Sequence, residues 1–456
     1  MNVGITRRSP THIGCVGRPN AYTVLMLLIG ISLLLPPDGM AMRAGVAKRD
    51  VSFPELLGGV KVHDPLYARV LILDDGDDEA AIICLDMVEP WFPEVRARIQ
   101  QNLGITLTLV NCSHTHSGMR TLHNDMWQDA VGKLIYEAAE EAYTNLAPVS
   151  LHAGRAPVRA AYNRYGDAFS QEELPWVNVL EARTQDGNTL AVLFEYAAHP
   201  VITIEGRALS ADYPGYAIAR IHEELGDKVM PIFAQGCGGN TNGYPVGLPL
   251  GGPYENAANT GRKLGDAVLR AMKDAAEIQT DKLSIRTKTI LLPLRVPSIR
   301  EWEEDVSRLE QESPGDEAAM KSLQVLKGII EREEQPGLRY RLNALMLGTE
   351  WCLLALQGEV FTEYELWVNA FAPFDHTMVF AFTNDSTYAK PSNSYASYIL
   401  TDKALALSIK KPHEAEASCA EALLTHRAST HENVRLPYAV GIEAAIKDAI
   451  SSLWIE

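Results

Sequence analysis

Residues 106–118, of sequence TLTLVNCSHTHSG, contain an apolar run that is followed closely by a polar run with two histidines. The apolar residues at 106–110 predict a short β-strand. His114 and His116 lie just beyond it, one residue apart. Because alternate residues of an extended segment face the same side, both imidazoles are expected to point into one cavity. A strand that ends in a polar loop is typical of α/β proteins, which have their sites at strand ends.

The rest of the chain continues this alternation of strands, helices and polar loops. Short apolar runs predict strands at residues 67–73, 80–85, 177–181, 190–196, 229–234, 339–347, 352–356 and 379–383. Apolar residues at helical spacing predict helices at residues 91–103, 129–143, 215–225, 255–275 and 441–453. Residues 300–335 are highly charged and predict a solvated helical pair without catalytic residues. The pattern indicates a mixed α/β fold, with a sheet core, flanking helices and active-site loops at strand ends.

Composition and charge limit the class of partner. The chain has 456 residues, of which 46% are hydrophobic and 22% charged, as is ordinary for a globular protein. Its formal net charge is -17. An acidic surface repels phosphate backbones, so no nucleic acid partner is expected.

The first 41 residues have the features of a secretory signal peptide. Arg7, Arg8 and Arg18 precede an apolar run over residues 21–35, which is short for a membrane span. Residues 39–41 then offer a cleavage site of small residues around Met40. We therefore expect residues 1–41 to be a signal peptide, residues 42–456 to be a catalytic domain, and the protein to be periplasmic or secreted. An uncleaved N-terminal anchor is the alternative.

The cysteines do not describe a disulfide framework. Cys15 lies in the predicted signal peptide, and the other five are scattered singly without a CxxC pair. Most of them are expected to be small buried apolar side chains. They are Cys84, Cys112, Cys237, Cys352 and Cys419.

Two more strand ends offer side chains of the metal-ligand type, and a third is followed by a segment that alone is only a polar turn. His199 precedes Pro200 at the end of a predicted strand, Glu359 follows Gly358 after another, and the polar turn covers residues 384–388. Each has a simpler interpretation when taken alone. An HxH pair can be two hydrogen-bonded histidines, a lone histidine often ends a strand, and a glutamate that opens a helix is stabilised by the helix dipole.

Two further stretches carry glycine and turn residues. Residues 235–242, of sequence QGCGGNTN, follow a strand, and their glycines allow backbone N–H groups to approach a ligand closely. The stretch is not a P-loop, because no Gly-Lys-Ser/Thr follows. Residues 210–216 open a helix, where Asp212 is expected to be a helix cap.

Taken together, these motifs resemble those of the neutral/alkaline ceramidases. Residues 114–118 are similar to the family's HTHSG signature, and residues 64–69 to its N-terminal strand. Asn163-Arg164, Ala198-His199-Pro200 and the segment at 212–215 follow in the family's order, as do the glycine-rich loop, Gly358-Glu359 and the turn at 384–388. The resemblance is collinear over residues 54–398.

The resemblance implies a zinc-dependent hydrolase that cleaves a carbon–nitrogen bond. In the family, two histidines, a glutamate and a tyrosine hold one zinc ion, and the matching residues are His114, His199, Glu359 and Tyr388. The second signature histidine, His116, and the arginine Arg164 would face the substrate carbonyl. A small amide or lipid is the implied substrate, and peripheral contact with a membrane is compatible with it.

Three departures from the family's pattern concern the substrate. Asn242 occupies the position of a serine implicated in catalysis, and Gln357 replaces a proline before Gly358-Glu359. The chain also ends before the family's immunoglobulin-like C-terminal domain, which we expect to be missing. The substrate is therefore expected to be ceramide-like or a smaller N-acyl compound. A zinc esterase or peptidase acting on envelope compounds, or a non-catalytic relative that binds a lipid or glycan, are the alternatives.

Overall fold

The computed structural model describes Met1 and residues 42–89, 92–118, 125–164, 173–243, 251–384, 398–410, 427–429 and 435–455. From Met42 onward these residues belong to one compact unit. The predicted signal peptide and its cleavage site lie outside the described residues, apart from Met1. No helix of the described part is long and apolar enough to cross a bilayer.

The unit is a mixed α/β structure, as predicted. Its strands are β1 (Arg43–Asp50), β2 (Tyr67–Asp74), β3 (Glu79–Leu85), β4 (Leu107–Cys112), β5 (Ala147–Pro157), β6 (Ala161–Asn163), β7 (Trp176–Thr184), β8 (Thr189–Tyr196), β9 (Met230–Gln235), β10 (Thr241–Gly243), β11 (Ala276–Glu277), β12 (Leu283–Pro293), β13 (Gly337–Leu347), β14 (Trp351–Ala355), β15 (Glu359–Val360), β16 (His376–Phe380), β17 (Tyr398–Ile399), β18 (Arg427–Ser429) and β19 (Arg435–Pro437). Its described helices are α1 (Pro93–Leu103), α2 (Asp125–Thr144), α3 (Asp212–Leu225), α4 (Pro253–Lys273), α5 (Ile299–Glu312), α6 (Glu317–Glu331), α7 (Thr362–Phe371), α8 (Asp402–Lys410) and α9 (Ile442–Ile455).

Two sheets form the centre of the fold. The larger has the order β4-β3-β2-β1-β5-β7-β8-β9, with β11 beside β5, and the smaller has the order β12-β13-β14-β16. Most neighbours are antiparallel, but β3 and β4, β8 and β9, and β14 and β16 are parallel pairs. Each parallel pair needs a crossover, and α1, α3 and α7 supply them.

The sheets pack face to face through one apolar cluster. Leu109 and Leu193 of the larger sheet share this cluster with Leu353 and Phe380 of the smaller. The outer face of the larger sheet packs against α2 in one cluster and against α3 and α4 in another. Helices α6 to α9 cover the outer face of the smaller sheet. Alternation of apolar residues along each strand therefore gives four layers, in the order helices, sheet, sheet and helices.

Most predicted elements are confirmed, with shifts of a few residues at their ends. The turn at 74–78 joins the antiparallel strands β2 and β3, and the charged stretch at 300–335 contains the helices α5 and α6. The strand predicted at 379–383 is wrong in its bounds, since β16 ends at Phe380. Beyond it, Phe382 and Asn384 have left-handed φ values of 47° and 54°, which an extended strand cannot contain.

The cysteine prediction is confirmed for the four residues that the structure describes. Cys84, Cys112, Cys237 and Cys352 are buried free thiols. Burial raises the pKa of each thiol far above its usual range, so none is a ready thiolate nucleophile. Cys15 and Cys419 lie outside the described residues.

Candidate metal and active site

Asn111, at the end of β4, joins three strand ends beneath the candidate site. Its side-chain nitrogen donates to the carbonyl oxygens of Gln235 at 3.2 Å and Ala381 at 2.7 Å. Its side-chain oxygen accepts from the Gln235 amide at 2.8 Å. The ends of β4, β9 and β16 are thereby held together, and the loops that follow them meet.

The first of these loops carries His114. This residue has a left-handed φ of 63°, a backbone conformation that is strained for any residue other than glycine. Contacts with neighbouring residues must therefore hold it in place. Its amide donates to the Met87 carbonyl at 3.0 Å, and its Nδ1 lies 2.7 Å from the Val88 carbonyl oxygen. The segment after β3 therefore fixes both the backbone and the ring orientation of His114.

His199 follows β8 and is held by the glycine-rich loop. Its Nδ1 lies 2.6 Å from the Gly238 carbonyl oxygen, and its amide donates to the Thr241 carbonyl at 2.9 Å. The imidazole is fully buried. As for His114, a backbone carbonyl accepts from Nδ1, so Nε2 is the nitrogen left to face the site.

Glu359 enters the same space from the smaller sheet. Gly358 has a φ of 79°, which turns the chain just after β14, and Glu359 begins the short strand β15. The Glu359 side-chain oxygen Oε2 lies 3.0 Å from His199 Nε2 and 3.7 Å from His114 Nε2. With only 8% of its surface exposed, Glu359 is not the solvated glutamate of the simpler interpretation.

The three groups present electron pairs to one another. Burial lowers the pKa of His114 and of His199 well below the usual range, so both imidazoles are neutral at neutral pH. A neutral imidazole that donates from Nδ1 has a lone pair at Nε2. Two such lone pairs then face a side-chain oxygen of Glu359. This donor set fits a cation, which would remove the repulsion.

His116 lies beside the two buried histidines, as predicted, although the left-handed His114 backbone shows that the segment between them is not the extended one on which the prediction rested. One ligand atom from each of His114, His116 and His199 lies within 4.8 Å of the others, so the three residues can hold a metal ion. The His116 amide donates to the Pro200 carbonyl at 3.0 Å, which ties its loop to the segment after His199.

Arg164 reaches the site from the end of β6. One of its terminal nitrogens donates to the Gly239 carbonyl at 2.8 Å and to the Tyr398 hydroxyl at 2.7 Å. Its charge also lowers the pKa of His199, after the larger effect of burial. The guanidinium is therefore positioned next to the histidines by three separate parts of the chain.

Asn242 lies on β10 beside His199, with which it forms a parallel backbone bridge. Its side-chain nitrogen is 3.5 Å from the Tyr162 hydroxyl, the outer limit of a hydrogen bond. Its buried side-chain oxygen has no hydrogen-bond partner within the described ranges. The amide is thus held loosely next to the candidate metal site.

Of the remaining predicted residues, Tyr388 lies outside the described part of the chain. The structure adds two aromatic residues that the sequence analysis did not identify. The ring centroids of Phe382 and His114 lie 4.5 Å apart. The Tyr398 ring is nearly parallel to the His199 ring, with their centroids 6.2 Å apart. Phe382 is an apolar residue at a strand end and Tyr398 is far along the chain, so no local pattern marked either one.

The glycine-rich loop has a different role from the one predicted. The amides of Gly236, Gly238 and Gly239 donate to protein carbonyls, at 3.1, 2.8 and 2.8 Å, so they are not directed at a ligand. A methyl group at Gly239 would overlap the Glu359 carbonyl oxygen. These glycines are needed because the loop packs tightly against Glu359 and against the strand that precedes His199.

The predicted capping role of Asp212 is confirmed in part, since its Oδ1 accepts from the Tyr213 amide at the start of the helix at 2.6 Å. Helix α3 begins at Asp212 itself, and the preceding Ala211 gives no side-chain cap. The buried Asp212 carboxylate also accepts from the Thr203 amide at 2.7 Å and from the Thr203 hydroxyl at 2.8 Å. The Thr203 hydroxyl oxygen lies 2.8 Å from the Ser117 hydroxyl oxygen, so Asp212 braces the histidine loop through Thr203.

A pair of fully buried glutamates lies under the glycine-rich loop. Glu365 accepts from the Cys237 amide at 2.9 Å, and Glu195 accepts from the Asn178 side chain at 2.8 Å. Burial is the main cause that raises the pKa of both, for Glu195 well above its usual range and for Glu365 to about 7. Two carboxylates so placed share at least one proton at neutral pH.

We expect this pair to make stability depend on pH. A carboxyl group whose pKa is higher in the folded state stabilises the fold fully below pH 4.5, and that stabilisation is lost as the pH rises through about 7. The Glu365→Gln variant should lose the part of this dependence that comes from Glu365, on the order of 3 kcal/mol, whereas Glu195 keeps its own contribution. Urea unfolding between pH 4 and pH 8 measures it. An exposed Glu312→Gln control should keep the wild-type slope, and the same slope in Glu365→Gln would contradict the shared proton.

Comparison with known structures gives the class to which this fold belongs. The paired sheets and the helices that cover them have the fold of the neutral ceramidases. The crystal structure of neutral ceramidase from Pseudomonas aeruginosa matches with a TM-score of 0.61 and 17% identity, over 85% of this chain and 73% of that one. A structure of ceramidase complexed with C2 matches with a TM-score of 0.60 and 16% identity, over 83% and 72%.

The resemblance predicted from the motifs is therefore confirmed at the level of the fold. Comparison at the sequence level gave no match to a family model or to a curated protein. The likeness thus depends on three-dimensional structure and on a few short motifs, and the chemistry must be argued from the site itself.

Proposed function

We propose that the protein is an exported, zinc-dependent hydrolase that cleaves the amide bond of a ceramide-like or smaller N-acyl substrate. The observation that carries the proposal is the convergence of His114, His199 and Glu359, whose facing atoms are all electron-pair donors. The fold shared with neutral ceramidase supports an amide of the lipid type.

The donor set fits zinc in its chemistry. Imidazole nitrogen and carboxylate oxygen are both common zinc ligands, and the backbone carbonyls of Val88 and Gly238 already orient both imidazoles. His114, His199 and Glu359 would hold the ion, and Tyr388 remains the predicted fourth ligand. When bound, zinc supplies a water of lowered pKa and polarises the scissile carbonyl.

The other residues would act on the substrate. Hydrolysis of an amide develops negative charge on the carbonyl oxygen, and a preorganised donor stabilises that charge. The Arg164 guanidinium, held by Gly239 and Tyr398, suits this role. His116 can donate a second hydrogen bond to the same oxygen or protonate the leaving amine. Asn242 would position the substrate through its side-chain amide.

The proposal is tested with purified protein and a panel of amides and esters. Zinc-loaded protein is expected to release amine from N-acyl substrates, to lose this activity on chelation and to regain it with zinc. Release from esters alone would overturn amide cleavage, and no turnover of any substrate by zinc-loaded protein would favour a binding protein. Mass spectrometry of the exported protein checks for an N-terminus near residue 42, and an intact Met1 would contradict cleavage.

Asn242 is expected to set the substrate preference within this panel. Wild type should hydrolyse short N-acyl amides better than long-chain ceramide, because asparagine is larger than serine and offers different hydrogen bonds. The Asn242→Ser variant should shift the ratio of kcat/KM values towards ceramide while zinc content stays constant. Ceramide turnover by wild type that rivals its best short amide would show that Asn242 does not limit specificity.

A further inference from the structure

A cavity of about 160 Å³, open to solvent where Gln100 and Arg341 are exposed, lies between α1, β4 and β13. Its polar lining comes from Arg96 and Gln100 of α1, Thr108 of β4, Arg341 and Asn343 of β13, and Asn384 after β16. None of these residues is a predicted metal ligand. The cavity is therefore separate from the histidine site, and its ligand chemistry can be considered independently.

The cavity is cationic in a strongly acidic protein. The formal net charge is -17, yet the lining contains two arginines and no carboxylate. Neither Arg96 nor Arg341 forms an ion pair with any residue of the described part. Burial and the charge of Arg341 lower the pKa of Arg96 to about 10, which leaves the Arg96 guanidinium charged at neutral pH. Two like charges facing one cavity favour an anion between them.

Neutral donors complete the lining. Thr108 is only 3% exposed, and its hydroxyl has no hydrogen-bond partner among the described residues. The Asn343 side-chain oxygen accepts from Thr287 at 3.0 Å, which orients the amide. The Asn384 side chain, by contrast, is used internally, since it accepts from the Val110 amide and donates to the Thr108 carbonyl. Asn384 therefore forms a rigid wall.

We propose that this cavity binds a small oxyanion, namely a phosphate or sulfate group. A planar guanidinium offers paired donors that match the oxygens of such a group, and here two of them approach from different walls. A water molecule occupies roughly 30 Å³ of the liquid, so the cavity has room for the anion and a few waters. The site does not depend on the proposed hydrolase activity.

Binding is measured with inorganic phosphate by calorimetry, against chloride at equal ionic strength. Wild type is expected to bind phosphate saturably, and Arg96→Met and Arg341→Met should each weaken binding about tenfold or more. Arg339→Met is the matched control, because Arg339 is exposed on the same strand and does not line the cavity. Circular dichroism melts in chloride confirm that each variant is folded.

The source of the phosphate group is distinguished by a second arm. Vesicles of phosphatidylcholine with and without phosphatidic acid are tested for binding, first without inorganic phosphate and then with it in excess. Binding of free phosphate without vesicle binding identifies a soluble ligand, whereas vesicle binding that phosphate competes away identifies a lipid headgroup. Equal phosphate affinity in wild type, Arg96→Met and Arg341→Met would overturn the site.

Discussion

The His199→Ala variant is expected to bind no zinc and to lose all measurable hydrolase activity, whereas wild type should retain one zinc ion per chain after dialysis. His199 provides a buried, neutral nitrogen, Nε2, which lies 3.0 Å from the Glu359 side-chain oxygen. Alanine removes this nitrogen, so the ion would lose one of its ligands. His114→Ala should have the same effect. Elemental analysis of the dialysed proteins, with activity measured in parallel, tests both.

A control histidine separates this effect from general damage. The side chain of His222, on α3, has one hydrogen bond among the described residues: its Nδ1 lies 3.2 Å from the Gly226 carbonyl oxygen at the end of the same helix. The His222→Ala variant should therefore keep its zinc. Each variant is also compared by thermal unfolding in the presence of a chelator. Full zinc retention in both His114→Ala and His199→Ala would exclude this metal site.

The second large effect concerns the groups that would act on the substrate. Arg164→Ala and His116→Ala are expected to lower kcat on the order of 100- to 1000-fold, because each removes one preorganised donor to the developing oxyanion. Zinc content should remain near that of wild type. Arg164→Lys keeps the charge but not the planar group that contacts both Gly239 and Tyr398, so its rate should be intermediate.

The zinc content of His116→Ala distinguishes between two possible ligand sets. The three histidines lie close enough together for His116 to be one of the metal ligands. Loss of zinc from His116→Ala to the same extent as from His114→Ala would assign His116 to the metal. A slow variant that keeps its zinc would assign it to the substrate.

The strand-end histidines were predictable because short apolar strands followed by polar loops are visible locally. Strand β5 was not, since its sequence, APVSLHAGRAP, is rich in alanine, glycine and proline and has little intrinsic β-propensity. It is a strand because β1, β7 and β11 all pair with it. Strand β12 was missed for a related reason, since most of its residues are at least partly exposed and give no apolar run.

Within the site, the sequence indicated which side chains are of the ligand type but not what surrounds them. Nothing local to Phe382 shows that its left-handed backbone turns the ring against His114. The glycine-rich loop was misinterpreted because its close partner, the Glu359 carbonyl, is distant in sequence. Asp212 was assigned only to its own helix, but its carboxylate also binds Thr203 in the preceding segment. In each case a tertiary contact determines the role.

The position of Asn111 has a consequence for how the chain reaches its native state. The side chain contacts partners 124 and 270 residues away, and His199 and Glu359 are themselves 160 residues apart. Closing such long loops is entropically costly, and domains dominated by contacts of this kind fold slowly. During synthesis both histidine loops emerge well before β14 and β16, so a nascent chain has no complete ligand set. Metal capture should therefore be a late event in biogenesis, and a fragment ending before Glu359 should have little of the native affinity for the ion.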